Sequence, residues 1–460
     1  MRKISFKFMT DIDSMYKNSR IDKSTDAINL RNKILDLVEQ YYELSHLKEK
    51  FEPGEDNIPY SGRVYNENEL KSLVSSSLDF WLTSDRFDDE FQTQLSKYLG
   101  VNFVITTNSG SSANLLAISS LTSELFGDRA LKPGDEVITV AASFPTTINP
   151  IVQNNLVPVF VDVEIPSYNI NSNLIEDAIS EKTKAIFIAH SLGNPFNLKD
   201  VSRIAKESNL WLIEDSCDAL GATYQNKKVG TFGDIGTLSF FPAHQITMGE
   251  GGAIFTDNPT IKRTIESFRD WGRDCFCKPG KSNTCGKRFE WELGDLPKGY
   301  DHKYTYSHMG YNLKLTEMQA SIGLAQLQKI DEFVNSRRKN FDFLKNSFVK
   351  FSKFLILPEK TLESNPSWFG FPITVKDEAP FSREDLIFFL SINKIDTRNI
   401  FGGNITKQPY FKNKTYRISD TLENTDLVMN NSFMIGVYPG LTEDMLNYIV
   451  QKFNEFFDKY

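Results

Sequence analysis

The sequence has 460 residues, 40% of them hydrophobic and 24% charged, which describes a folded globular chain with room for one large core and a smaller one. A net charge of −8 and the lack of a basic stripe exclude a nucleic-acid partner. No run approaches the roughly 18 consecutive apolar residues of a membrane span, so no membrane association is predicted.

In chain order, Met1 to Asp26 alternates charged and apolar residues and lacks the apolar run of a secretory leader. This predicts a cytoplasmic protein whose cysteines stay reduced. Residues 27–50 carry helical periodicity, with Ile28, Leu30, Ile34, Leu35, Leu37 and Val38 favouring one side. Together with the Pro/Gly-rich connector after it, this segment is an N-terminal arm over 1–57.

A large domain is predicted over 58–338. Short apolar runs alternate there with helical stretches: FVIT (103–106), EVITV (136–140), PVFVDV (158–163), AIFIAH (185–190), WLIED (211–215), TLSFF (237–241) and AIFT (253–256). Val/Ile-rich strands separated by helices indicate an α/β fold whose parallel sheet is covered on both faces. Residues 274–311 break this rhythm and read as an ordered functional loop. One long helix is predicted from LTEMQ to KNSF (315–348), and a smaller α+β domain over 339–460.

Three segments carry chemistry. Asp215 ends WLIED, and ligands in open parallel sheets sit at the carboxyl ends of strands. Its carboxylate could bind a metal, act as a base, hold a protonated ring nitrogen, or simply cap a helix. TTNSGSSANLLA opens a helix directly after a strand. Gly110 admits close approach there, and Ser109, Ser111 and Ser112 add hydroxyls to free N–H groups. That is a phosphate seat, or equally a helix cap. TLSFFPAHQITMGEGG is more particular, placing Ser239, an aromatic pair, Pro242 and His244 before a Gly-rich turn.

These segments, with GYNLKLTEMQA downstream, resemble the sugar aminotransferases of pyridoxal-phosphate fold type I, the DegT/DnrJ/EryC1/StrS family. In that family the position of His244 is normally a lysine that binds the cofactor as a Schiff base. Imidazole cannot do this, so the resemblance implies pyridoxamine phosphate held without a covalent bond, with His244 moving protons. It further implies that Asp215 pairs with the pyridine nitrogen and Phe144 stacks on the ring. Gly110, Ser111 and Ser239 would hold the phosphate. Asn312 would reach the phosphate of a neighbouring subunit, in a homodimer with shared sites. Lys314 departs from the Arg often found there, which removes a bidentate contact.

The four cysteines, Cys217, Cys275, Cys277 and Cys285, follow C-x57-C-x-C-x7-C. Four thiolates with no spare suit a 2Fe–2S cluster or a structural zinc, although C-x-C is atypical of zinc sites. Cys217 stands two residues after Asp215. The spacing resembles the CDP-4-keto-6-deoxy-D-glucose 3-dehydratase branch of the family, as do DWGRDCFCKPG, NTCGKRF, PSWFGFPIT and QPYF. That branch implies a 2Fe–2S cluster, a CDP-linked 4-keto-6-deoxy sugar and an NADH-dependent flavin/iron–sulfur reductase. The competing expectations are a reductase-independent dehydratase of a GDP-sugar, an ordinary sugar aminotransferase, and a catalytically silent binding protein. Arg398, Asn404 and Lys407 are candidates for substrate phosphates or parts of a structural loop. His190 lines the cleft or fills the core.

Overall fold

The computed structural model describes residues 21, 22, 24–46 and 50–460. The alternating stretch before residue 21, on which the expectation of no leader rests, lies outside them, as do residues 47–49 of the first predicted helix.

Helix α1 (Thr25–Ser45) is capped by Ser24, whose hydroxyl accepts from the Ala27 amide. It lies on α2 (Glu67–Asp79). Its inner face is less apolar than the periodicity suggests: Leu30 and Leu37 are exposed, while Arg31 and Leu35 are buried. Arg31 pays for its burial by donating to the Ser75 carbonyl at 3.0 Å and pairing with Asp79 at 2.7 Å. Helix α3 (Arg86–Leu99) buries Phe87, Phe91, Leu95 and Tyr98 at helical spacing and stops at Gly100, whose φ of 76° suits glycine.

The large sheet contains β1 (Phe103–Thr107), β2 (Glu136–Val140), β3 (Val157–Val161), β4 (Thr183–Ala189), β5 (Trp211–Asp215), β6 (Ile235–Ser239) and β7 (Gly252–Thr256). The 370–436 region supplies β8 (Leu355–Ile356), β9 (Gly370–Val375), β10 (Arg398–Asn399), β11 (Arg417–Ile418) and β12 (Ser432–Gly436), counting the short strand just before it. The large sheet runs β1-β7-β6-β5-β4-β2-β3-β11 and the small one β8-β9-β12-β10. Alternate residues of the central strands serve opposite faces. Val137, Phe187 and Ile213 pack in one cluster with α4 (Gly110–Ser120) and the Ile261–Phe268 part of α5 (Pro259–Arg269). Ile138, Ile186 and Leu212 face Val201 and Ile204 of the helix at Leu198–Glu207. The near-continuous apolar runs are therefore two half-sets, one per face.

The sheet is mixed rather than wholly parallel. β7 pairs antiparallel with both β1 and β6, while β6-β5, β5-β4, β4-β2 and β2-β3 are parallel. The reason is visible in the chain: no helix separates Ser239 from Gly252, and a parallel neighbour needs a crossover. The long helix expected over 315–348 is two, α6 (Glu317–Leu327) and α7 (Ile330–Phe348), broken where the Lys329 amide bonds the Gln326 carbonyl three residues back. The 273–311 segment is irregular apart from one turn at His302–Tyr304. The bidentate pair between Arg288 and Asp301, whose Nε contact is 2.9 Å, holds it. The small sheet packs on α7 and on the closing helix α8 (Glu443–Phe457), with Phe341, Phe348, Phe371 and Phe453 in one core. No helix among the described residues is long and apolar enough to cross a membrane.

The two sheets are tied at Gly193, whose carbonyl accepts from the Ser367 amide at 3.0 Å, next to the Phe369 amide donating to Leu192 at 2.8 Å. Gly193 has φ +83°, and a Cβ there would overlap the Ser367 carbonyl. Gly193→Ala is therefore expected to cost about 3 kcal/mol, strain plus overpacking. Gly100→Ala, at φ +76° with nothing within 4 Å of its Cβ, should cost only about 1 kcal/mol. Denaturation midpoints of the two variants check the difference; equal midpoints would refute the tie.

Candidate active site

The strand ends β2, β4, β5 and β6 open into a cleft of about 710 Å³ that also reaches the small sheet. Its floor is Asp215, the last residue of β5 and nearly inaccessible. A buried carboxylate needs donors. Asn114 of α4 donates to it at 2.8 Å, the Thr147 hydroxyl at 2.7 Å and the Cys217 amide at 3.1 Å. Asn114 is itself fixed by the Thr237 hydroxyl at 2.6 Å. The cap reading of Asp215 is thus partly right, since the Cys217 contact closes a turn, but two side chains from separate helices hold it facing the cleft.

At the other end, Ser109 caps α4 with its hydroxyl accepting from the Ser112 amide at 3.1 Å. This leaves the Gly110 and Ser111 amides at the positive end of an 11-residue helix. Ser239, at the end of β6, closes against Gly110 so tightly that a Cβ on Gly110 would overlap the Ser239 side chain. These residues fit a phosphate. Phe144, 53% exposed at the mouth, precedes Pro145 and the helix at Pro145–Gln153, where its face is open to a flat ring.

His244 lies in the helix-free return between β6 and β7. Its Nδ1 is 3.3 Å from Asp218 Oδ1, an ion-pair approach without the alignment of a full hydrogen bond. Its ring is 5.4 Å from that of Phe369. Burial, offset in part by His244, raises the Asp218 carboxyl above the usual range. Beneath them is Arg337 of α7, fully buried, donating to the carbonyls of His244 at 2.9 Å, Ala243 at 3.3 Å, Trp368 at 3.1 Å and Phe369 at 3.2 Å. Burial pushes its guanidinium down to about 10. Gln245 adds bonds to the Asp218 carbonyl and to Ser367. Asp218 and Arg337 are functional residues that the sequence reading passed over. The second acid of EDSCDALG was a usable signal for Asp218, whereas nothing local marks Arg337.

His190 is a core residue at the cleft floor. Its Nε2 is 3.0 Å from Glu214, its Nδ1 accepts from the Phe196 amide, and it stacks on Phe196 at 4.3 Å. Asn404 donates to Asp426 and Lys407 pairs with the same carboxylate at 2.6 Å, so both are structural. Arg398 does line the cleft, whereas Asn312 does not. Asn312 is exposed, with its amide oxygen accepting from Lys314 at 2.8 Å. Lys314 is spent on Asp270 and on the ring of Trp271.

The cysteines divide. Cys217 lines the cleft, and burial followed by the Asp215 and Asp218 carboxylates pushes its thiol up. Cys275 and Cys277 line a second cavity beside Asp88, Arg263 and His308. The Cys277 sulfur is 3.0 Å from the Thr284 hydroxyl, and that of Cys285 is 3.9 Å from His302 Nε2. Among the described residues no three His, Cys, Asp or Glu side chains gather as a metal site. The single chain does not present a four-thiolate cage.

Gly110→Ala should weaken binding of pyridoxamine phosphate at least about tenfold, because the added methyl pushes Ser239 out of the seat. Titration of the cofactor followed by absorbance tests this, and unchanged affinity would move the phosphate elsewhere.

Comparison with known proteins agrees with this geometry. The chain is 59% identical to the lipopolysaccharide biosynthesis protein RfbH of Salmonella typhimurium, covering 94% of this chain and 99% of that one. It is 50% identical to the dTDP-4-dehydro-2,6-dideoxy-D-glucose 3-dehydratase of Saccharopolyspora spinosa, covering 89% and 88%. An E. coli GDP-4-keto-6-deoxy-D-mannose-3-dehydratase, solved with bound hydrated PLP, superposes with a TM-score of 0.78 at 30% identity, covering 86% and 99%. Residues 64–454 match the DegT/DnrJ/EryC1/StrS aminotransferase family. The chain belongs to that family and has its pyridoxal-phosphate fold.

Proposed function

We propose that this chain is a nucleotide-sugar 3-dehydratase that binds pyridoxamine phosphate and removes the carbon-3 hydroxyl of CDP-4-keto-6-deoxyglucose. What carries the reading is a complete cofactor seat with an imidazole at its reacting end: no lysine lines the cleft. Three relatives named above or of the same kind bear 3-dehydratase names.

When bound, the cofactor supplies an amine that can condense with a ketone and a ring that can accept electrons. The chain's own residues do the rest. Asp215, fixed by Asn114 and Thr147, keeps a ring nitrogen protonated. The α4 terminus and Ser239 hold the phosphate, and Phe144 covers the ring. His244 is placed to move a proton at the carbon bearing the amine, and Asp218 orients the imidazole. Arg337 and Phe369 fix the loop on which His244 stands.

Replacing a C–OH by C–H is a two-electron reduction. We propose an NADH-dependent flavin/iron–sulfur reductase as the source, and Cys217, Cys275, Cys277 and Cys285 as ligands of a 2Fe–2S cluster. The support is the count of four cysteines with none to spare and the place of Cys217 beside Asp215 in the cleft; the separate position of the loop thiols counts against it in the isolated chain. Asn312, outside its own cleft, is proposed to serve a second copy in a homodimer. The reaction is placed in the cytoplasm, in 3,6-dideoxysugar synthesis for lipopolysaccharide O-antigen.

Two measurements test this. Wild-type protein loaded with pyridoxamine phosphate should convert the CDP-linked 4-keto sugar, and not the GDP-linked one, only with the reductase present. His244→Lys should retain pyridoxal phosphate through dialysis and lose turnover by at least about a hundredfold; undiminished turnover would remove His244 from the chemistry. Separately, anaerobic protein should be red-brown with about two iron and two sulfide per chain. Cys275→Ser should lose both while keeping the cofactor. Colourless, iron-free wild type with full activity would end the cluster proposal.

A further inference from the structure

The residues lining the cleft carry three carboxylates, Asp215, Asp218 and Glu250, and a single guanidinium, Arg398, with no lysine. Arg398 begins β10, the edge strand of the small sheet, paired with Met434 of β12. It is exposed, and its Cζ lies 4.2 Å above the Tyr60 ring. Its Nη1 donates to the Thr397 carbonyl at 2.7 Å. Among the described residues no carboxylate pairs with it. The neighbouring cations that could share its task are committed: Lys407 to Asp426 at 2.6 Å and Arg383 to Glu384 at 2.6 Å.

An arginine laid on an aromatic ring at a surface is often only packed there, its stem covering apolar area. Two things separate Arg398 from that case. It stands on the wall of the largest cleft, opposite the floor formed by Asp215 and His244. It also has most of its five N–H donors free in a fixed fork, the geometry that receives two oxygens of a phosphate at once. A dianion entering a cleft with three acids and one free cation must be met by that cation, since unscreened repulsion from the acids would otherwise dominate.

We infer that Arg398, held on Tyr60, receives the diphosphate of the nucleotide-linked substrate and so fixes which end of the sugar faces His244. The inference rests on the reading of this cleft as a nucleotide-sugar site. A nucleotide sugar carries its diphosphate on carbon 1, across the ring from the 4-keto group. A cation on the wall opposite the floor therefore presents carbons 3 and 4 to the cofactor end. The cleft volume of about 710 Å³ lies in the range of ligand sites.

The experiment is calorimetric titration of CDP, and of cytidine as the uncharged control, into full-length protein loaded with pyridoxamine phosphate. Arg398→Met should weaken CDP roughly ten- to hundredfold, the span of a charge-assisted contact. Arg398→Lys should recover part of that loss, and cofactor absorbance should be the same in all three proteins. Tyr60→Leu, which frees the guanidinium without removing it, should give a smaller loss. In turnover, Arg398→Met should raise KM far more than it lowers kcat. CDP bound equally by wild type and Arg398→Met would overturn the inference and leave the dehydratase reading intact. Wild type that loads the cofactor but binds no nucleoside diphosphate would overturn both.

Discussion

A carboxylate at the bottom of an apolar sheet is costly unless donors converge on it, and the arrangement around Asp215 is the solution on which the cleft depends. Asn114 comes from the helix that also seats the phosphate end, and Thr147 from the helix that follows Phe144. One acid thereby sets the mutual positions of two helices and of both ends of a flat ligand. Its neighbour Glu214, facing the other way along the strand, accepts from Gly230, Phe232 and Gly233 at 2.7 Å each and from His190. Consecutive residues of one strand thus anchor the cleft and the loop behind it.

Around that fixed point the small sheet is joined by carbonyls rather than by apolar contact alone. Arg337 reaches four of them, two on the His244 return and two at the entry to β9. A guanidinium buried without a carboxylate partner is tolerated only because each N–H it uses finds an oxygen. The position of His244 is consequently set by the small-sheet half of the chain as much as by its own strand.

Strand identity, the Asp215 position and the Ser109–Ser112 turn were readable because each is a local pattern with a local cause: alternation, a strand end, a cap. The antiparallel return of β7 was also written locally, in the missing crossover helix, but the apolar run AIFT looks the same in either direction. Arg337 could not be read at all, since its partners lie 31 to 94 residues away. The cysteines show the limit from the other side. Their number and spacing resemble a ligand set, yet spacing along a chain does not bring Cys217 to an irregular loop some 60 residues on, and the fold of one chain leaves them apart. Asn404 and Lys407 illustrate the same point in small: polar residues in a promising loop, claimed by Asp426.

The helix-free return that places an imidazole where the cleft has no lysine carries a thermodynamic consequence. Any planar ligand seated against Asp215 and the α4 terminus is retained by reversible contacts only, so occupancy follows mass action. The folded state then gains RT ln(1 + [L]/Kd) from its ligand. Loss of cofactor by dilution is therefore also loss of resistance to unfolding, and the chain's lifetime is coupled to the supply of a small molecule it does not own.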